Sequence, residues 1–145
     1  MTRTEIESFR FRSESVQEDW DEKAPKLYDE LMGWIKDVKN EPMKNDTITL
    51  QNWMVKAMHC LARLSDIQVE AQNWVDIARS EYVSMAMKFR MENPKATSDM
   101  VKDMEEGAVG PPEYLRNCAN KFYDALEKGL NGAQSILKAG KWQPT

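Results

Sequence analysis

The stretch LQNWMVKAMHCLARLSDIQVEAQNWVDIARSEYVSMAMKFRME, residues 50–92, runs without a single proline or glycine. Within it Leu50, Ala57, Leu64, Ala71, Ala78 and Met85 recur every seven residues. A second row starts as Trp53, Cys60, Ile67 and Trp74, then gives way to the charged Glu81 and Lys88 while the apolar stripe slides to Val75, Tyr82 and Phe89. That slide is how a nearly straight helix of 3.6 residues per turn drifts against a strict heptad. At 1.5 Å per residue such a helix is a rod of roughly 65 Å, whereas a compact domain of this length has a radius of gyration of only about 15 Å. Either the helix breaks near Ser65-Asp66, or it projects and finds partners. The second is favoured, since neither residue is a helix breaker of the proline or glycine kind.

Outward from this rod, the chain reads as helices separated by punctuation. Residues 1–14 form an N-terminal arm, a short strand or an extended segment, in which Phe9 and Phe11 alternate with Arg10 and Arg12. Ser15 with Glu18 is a capping-box pattern opening a helix region over 15–40, with Pro25 breaking or restarting it. Pro42, Asn45 and Asp46 make the next segment a loop. Asn93-Pro94 closes the long helix, and a short acidic helix spans 98–106, with Gly107 placed to end it. Gly110-Pro111-Pro112 is a second stop, and a C-terminal helix occupies 111–139 with the stripe Leu115, Cys118, Ala119, Phe122, Leu126, Leu130, Ala133 and Ile136 or Leu137. Gly140 is its expected end, and 140–145 a tail. Gly129 and Gly132, inside this helix, read as sites of close helix packing. The fold class is therefore all-α: one domain, a long-helix bundle or helical hairpin with coiled-coil-like seams. The expected contacts between copies are Leu64, Ile67, Trp74, Phe122, Leu126, Leu130 and Ile136, because the two stripes exceed what one small globule needs to bury.

Composition agrees with a folded chain. Leu, Ile, Val and Phe number 27 of 145, but the net charge is only −4, and ten Met and five Trp add apolar mass. Met supplies an adaptable interior. Cys60 and Cys118 lack C-x-x-C spacing and read as buried, reduced thiols. No apolar leader and no stretch of roughly 20 apolar residues is found, so a cytoplasmic protein is expected.

Chemistry is sparsely represented. The single His59 adjoins Cys60 on a helix, where neighbouring side chains diverge by about 100 degrees and cannot share a metal. One histidine also rules out the paired Glu-x-x-His of two-iron bundles. Asp99, Asp103 and Glu106 share a face that reads as solvated and favoured near a helix N-terminus. No catalytic residue, metal ligand or cofactor is expected. Charge is uneven, however: Arg116, Lys121, Lys128, Lys138 and Lys141 outnumber Asp124 and Glu127 after residue 113. Lysines seven and ten residues apart lie along one side of a helix. With Trp142 as a stacking ring, and Arg10 and Arg12 as a second basic cluster, these residues form a candidate nucleic-acid surface.

The order of parts from about Glu70 to Gly140 resembles the UvsY-type recombination mediators that phages encode. The helix EAQNWVDIARSEYVSMAMKF leads through NPKATSDMVKDMEEG into YLRNCANKFYDALEKGLNGAQSILKAG, whose ending is similar to that family's ring-forming terminal helix. The resemblance implies an oligomer in the host cytoplasm that binds single-stranded DNA and loads a RecA-like recombinase. The first 69 residues have no counterpart in it. The alternative expectation is a small helical inhibitor or adaptor of another protein, such as an anti-defence factor, with no nucleic-acid binding.

Overall fold

The computed structural model describes residues 1–38 and 47–142, with backbone alone for 37–38 and 139–142. Four helices follow in order: α1 Arg3–Ser8, α2 Glu14–Val38, α3 Thr47–Glu92 and α4 Ser98–Trp142, with no strand among the described residues. The protein is an all-α helical hairpin bundle. Helix α3 is unbroken, and α3 and α4 pack against each other along most of their length.

Cross-helix bonds define the register. Gln68 donates to Asn120 at 2.9 Å, Arg116 donates to Gln72 at 3.3 Å, and Arg79 pairs with Glu113 at 3.7 Å. One number rises as the other falls, so α4 is antiparallel to α3. The same holds on the other flank, where Asp19 accepts from Trp74 at 3.1 Å, Lys23 pairs with Glu70 at 3.1 Å and Glu30 with Arg63 at 3.1 Å. Helix α2 is thus also antiparallel to α3, and it packs against α4 as well. The core runs down the middle: Trp20, Leu27 and Leu31 from α2; Leu64, Ile67, Ala71 and Trp74 from α3; Leu115, Ala119 and Leu126 from α4. Each fully buried aliphatic side chain stabilises the fold by about 1.5–3 kcal/mol.

The N-terminal arm is neither strand nor free segment. Thr2 caps α1 through its hydroxyl, which accepts from the Glu5 N–H at 3.4 Å. Phe9 and Phe11 then meet edge to face at 4.9 Å and both lie against Trp20. The expected Ser15–Glu18 capping box is replaced by a tertiary cap. Glu81 of α3 accepts from the backbone N–H groups of Arg12 at 3.0 Å and Ser13 at 3.4 Å, where the free donors of the α2 N-terminus favour an anion.

Three expected helix breaks are absent. Pro25 lies inside α2, and Gly107, Gly110, Pro111 and Pro112 lie inside α4, so the segments 98–106 and 111–139 are one helix. A proline removes one ladder bond, but tertiary burial outweighs it: Trp20, Ala24 and Leu27 flank Pro25 on the core face, and Pro112 is itself fully buried. Gly110, lacking Cβ, relieves the clash a proline ring makes with the residue before it. No described glycine has positive φ, so Gly107 is not a left-handed cap. The helix also continues through Gly140, since one glycine costs only about 1 kcal/mol in a helix. Gly132 is exposed with open space where a Cβ would stand, so close packing does not occur there.

A Cβ at Gly107 would likewise meet nothing within 4 Å. Gly107→Ala should therefore stabilise the protein by about 0.5–1 kcal/mol in chemical denaturation. A loss of stability would show that the helix ends at this residue after all.

Candidate functional site

The residues expected to form a nucleic-acid surface separate into two groups. Lys121, Lys128 and Lys138 are exposed on α4, and none forms an ion pair among the described residues. Asp124 and Glu127 are exposed beside them, so the row alternates in sign and its field is locally compensated. Arg116 is not part of that row. It is half-buried between α3 and α4, donating to Gln72 and, at 3.1 Å, to Asn117. Arg10 pairs with Asp21 at 3.3 Å and donates to the Glu7 and Phe9 carbonyls at 3.1 Å. Arg12 is exposed, but its backbone serves the α2 cap. The adjacent Phe9 and Phe11 rings belong to the aromatic cluster around Trp20. The side chains of Lys141 and Trp142 lie outside the described residues.

The residues expected to join two copies lie in the chain's own interior. Leu64 and Ile67 are fully buried, Trp74, Phe122, Leu126 and Leu130 are buried, and Ile136 packs on the same cluster. Their seam is closed by α2 and α4 of the same chain. A long helix pair needs no second copy to cover a stripe that its own hairpin partner covers.

Polar chemistry is similarly self-satisfied. Gln68, Gln72, Asn73, Asp76, Arg116 and Asn120 line a shallow groove between α3 and α4. Most pair with one another: Gln72, for example, donates to Asp76 at 2.9 Å while accepting from Arg116. His59 is exposed, whereas Cys60 is buried on the core face, so the two point apart. Burial, and secondarily the Glu30 charge, pushes the Cys60 thiol up from 9.0 to about 11. Cys118 is only half-buried, and its sulfur bonds the Tyr114 hydroxyl, which this contact and burial push up to about 12. Among the described residues no group of three or more His, Cys, Asp or Glu could hold a metal ion, and no helix is long and apolar enough to cross a membrane.

One surface was missed in the heptad reading. The exposed side of α3 carries Ile48, Val55, Met58, Val69, Val83, Met87 and Met91, all more than half exposed, with Val69 at the rim of the α3–α4 groove. Between them stand Gln51, Ala62, Ser65, Asn73, Asp76 and Ser80, also exposed. Of the other charges of α3, Arg63 and Glu70 bridge to α2, Arg79 to α4 and Glu81 serves the cap, while Lys56, Asp66, Lys88, Arg90 and Glu92 are exposed around the row. The signal in the sequence was a second row of positions stepping by three and four, hidden by the stronger one. A helix apolar on more than one face has more than one packing surface.

Compared with protein-family models, with curated proteins and with solved structures, the chain matches none.

Because burial pushes the Cys60 thiol up to about 11, the stability it contributes is complete below about pH 9 and is lost as pH rises from 9.0 to about 11. The parent should lose melting temperature over that window faster than Cys60→Ala does. Equal alkaline slopes would contradict a buried, neutral Cys60.

Proposed function

We propose that the protein works by binding other protein surfaces through the outward face of α3, as a small helical inhibitor or adaptor, and performs no chemistry of its own. The observation that supports this is the exposed row from Ile48 to Met91. Its seven large apolar side chains are each more than half exposed and gather toward the two ends of one helix, whereas apolar residues on an ordinary surface are scattered singly. Three of the seven are Met, whose unbranched, polarisable side chains adapt to a partner's shape. Beside the row, Arg63 and Glu70 are held in ion pairs with α2 and Arg79 in one with α4.

A second reading rests on the exposed, unpaired Lys121, Lys128 and Lys138: a phage recombination accessory protein that engages single-stranded DNA or a recombinase. Against it stand the interleaved Asp124 and Glu127 and the engagement of Arg116 and Arg10 within the fold. Fluorescence anisotropy with a labelled single-stranded oligonucleotide, from low to physiological salt, decides between the two. Under the protein-binding reading, binding is absent or unchanged when Lys121, Lys128 and Lys138 are all changed to Glu. Tight binding that weakens steeply with salt, with a slope smaller by roughly two to three units in the triple variant, would overturn that reading in favour of the DNA one.

A further inference from the structure

We infer that the protein has a second binding site, independent of the outward face of α3: the cleft near the α3–α4 turn where α2 stops, which takes an amphipathic helix of a partner protein laid end to end with α2.

The cleft continues an interface already present in the fold. On α3 the heptad row Leu64, Ala71 and Ala78 is fully buried, and its next member, Met85, is only half-buried. On α4 the row Ala119, Leu115 and Pro112 is fully buried, and the next members toward the α3–α4 turn, Ala108 and Met104, are half-buried. The change falls where α2 ends. Its N-terminus lies against Glu81, which accepts from the N–H groups of Arg12 and Ser13, while α3 runs on to Glu92. About 12 residues of α3, roughly 18 Å, thus stand beyond α2. There the two rows bound a cavity of about 380 Å³, closed at one end by Phe9, Arg10 and Arg12 of the α1–α2 connector.

The fold itself shows what such rows accept, because a helix of this chain already covers their buried part. A helix seated in an apolar groove anchors through positions i, i+3, i+4 and i+7, and about three turns fit the length that α2 leaves open. Met85 and Met104 adapt to the shape of an incoming side chain. Gly107 lines the same cavity and keeps the α4 wall low, since a Cβ there would meet nothing within 4 Å.

Charge sets the direction. Arg12 is exposed and enters no ion pair among the described residues, whereas Arg10 is shared with Asp21. Glu81, the one acid lining the cavity, is engaged by the α2 cap. Further out, the exposed Lys88 and Asp103 are of opposite sign and leave the open end without net charge. The closed end is therefore positive. A helix running in the same direction as α2 brings its free C-terminal carbonyls, the negative end of its dipole, to these arginines.

NMR of the full chain, labelled at the methionine methyl groups, separates this cleft from the outward face of α3. The probe is a synthetic peptide of about 12 residues, with Leu at i, i+3, i+4 and i+7 in an Ala and Gln background and a free C-terminal carboxylate. It should shift the Met85 and Met104 signals saturably and leave those of Met58, Met87 and Met91 in place. Ending the same peptide in a lysine amide should raise the dissociation constant by about fivefold or more. Gly107→Leu, which fills the cleft from an open helical position, should keep the helix content and abolish the peptide-induced shift of Met85. Binding unchanged in Gly107→Leu, or no saturable shift of Met85 and Met104 at millimolar peptide, would overturn the inference. So would shifts confined to Met58, Met87 and Met91, which would favour the outward face alone. If decanoate produces the Met85 and Met104 shifts and the peptide does not, the cleft is a site for a small amphipathic anion and the partner helix is ruled out.

Discussion

Trp20 and Trp74 meet edge to face with ring centroids 4.9 Å apart, and both are fully buried. Such a pair contributes about 0.5–1.5 kcal/mol beyond its area. Its larger effect is positional, because each indole N–H needs a partner once it leaves water. Trp20 donates to the Ile6 carbonyl at 2.9 Å, which holds α1 on α2. Trp74 donates to Asp19, which fixes the register of α2 on α3. Phe9 and Phe11 close the cluster from the arm, and one turn of α3 beyond the next Glu81 caps α2. Four stretches of chain thus converge on one desolvated point, and the register of α2 follows from it.

The rest of the bundle is α3 managing its neighbours. On one side α2 presents Lys23 and Glu30 to Glu70 and Arg63. On the other, α4 presents Glu113, Arg116 and Asn120 to Arg79, Gln72 and Gln68. Polar contacts therefore line both edges of the core and define which helix lies where. The third side of α3 has no neighbour within the chain among the described residues, and it is the side where Val, Ile and Met stand in solvent. A central helix that is apolar on two faces is under a different constraint from its amphipathic neighbours: burying one face leaves the other. That asymmetry, and not any cluster of reactive groups, is the most distinctive physical feature of the molecule.

How the sequence relates to this structure differs from one element to the next. The all-α class, the unbroken run through 50–92, the turn at Asn93-Pro94 and the burial of Leu64, Ile67, Trp74 and Phe122 were all legible, because each depends on local propensity and on apolar periodicity along one helix. The breaks expected at Pro25 and at Gly107–Pro112 were not borne out, because a helix stop is a local preference of a few kcal/mol. Burial of a whole stripe against two other helices outweighs that. The partners of the stripes were also out of reach. Periodicity reports that Leu64 and Leu126 are buried, not whether the surface covering them belongs to the same chain. The same is true of charge: Arg116 and Lys121 look alike in sequence, yet one is bonded between two helices and the other is free in solvent. The sequence by itself determined the all-α class and which faces of the long helices avoid water. Only the tertiary structure decided which of those faces α2 and α4 cover and which face of α3 stays open, because that choice depends on how helices far apart in the chain align against one another.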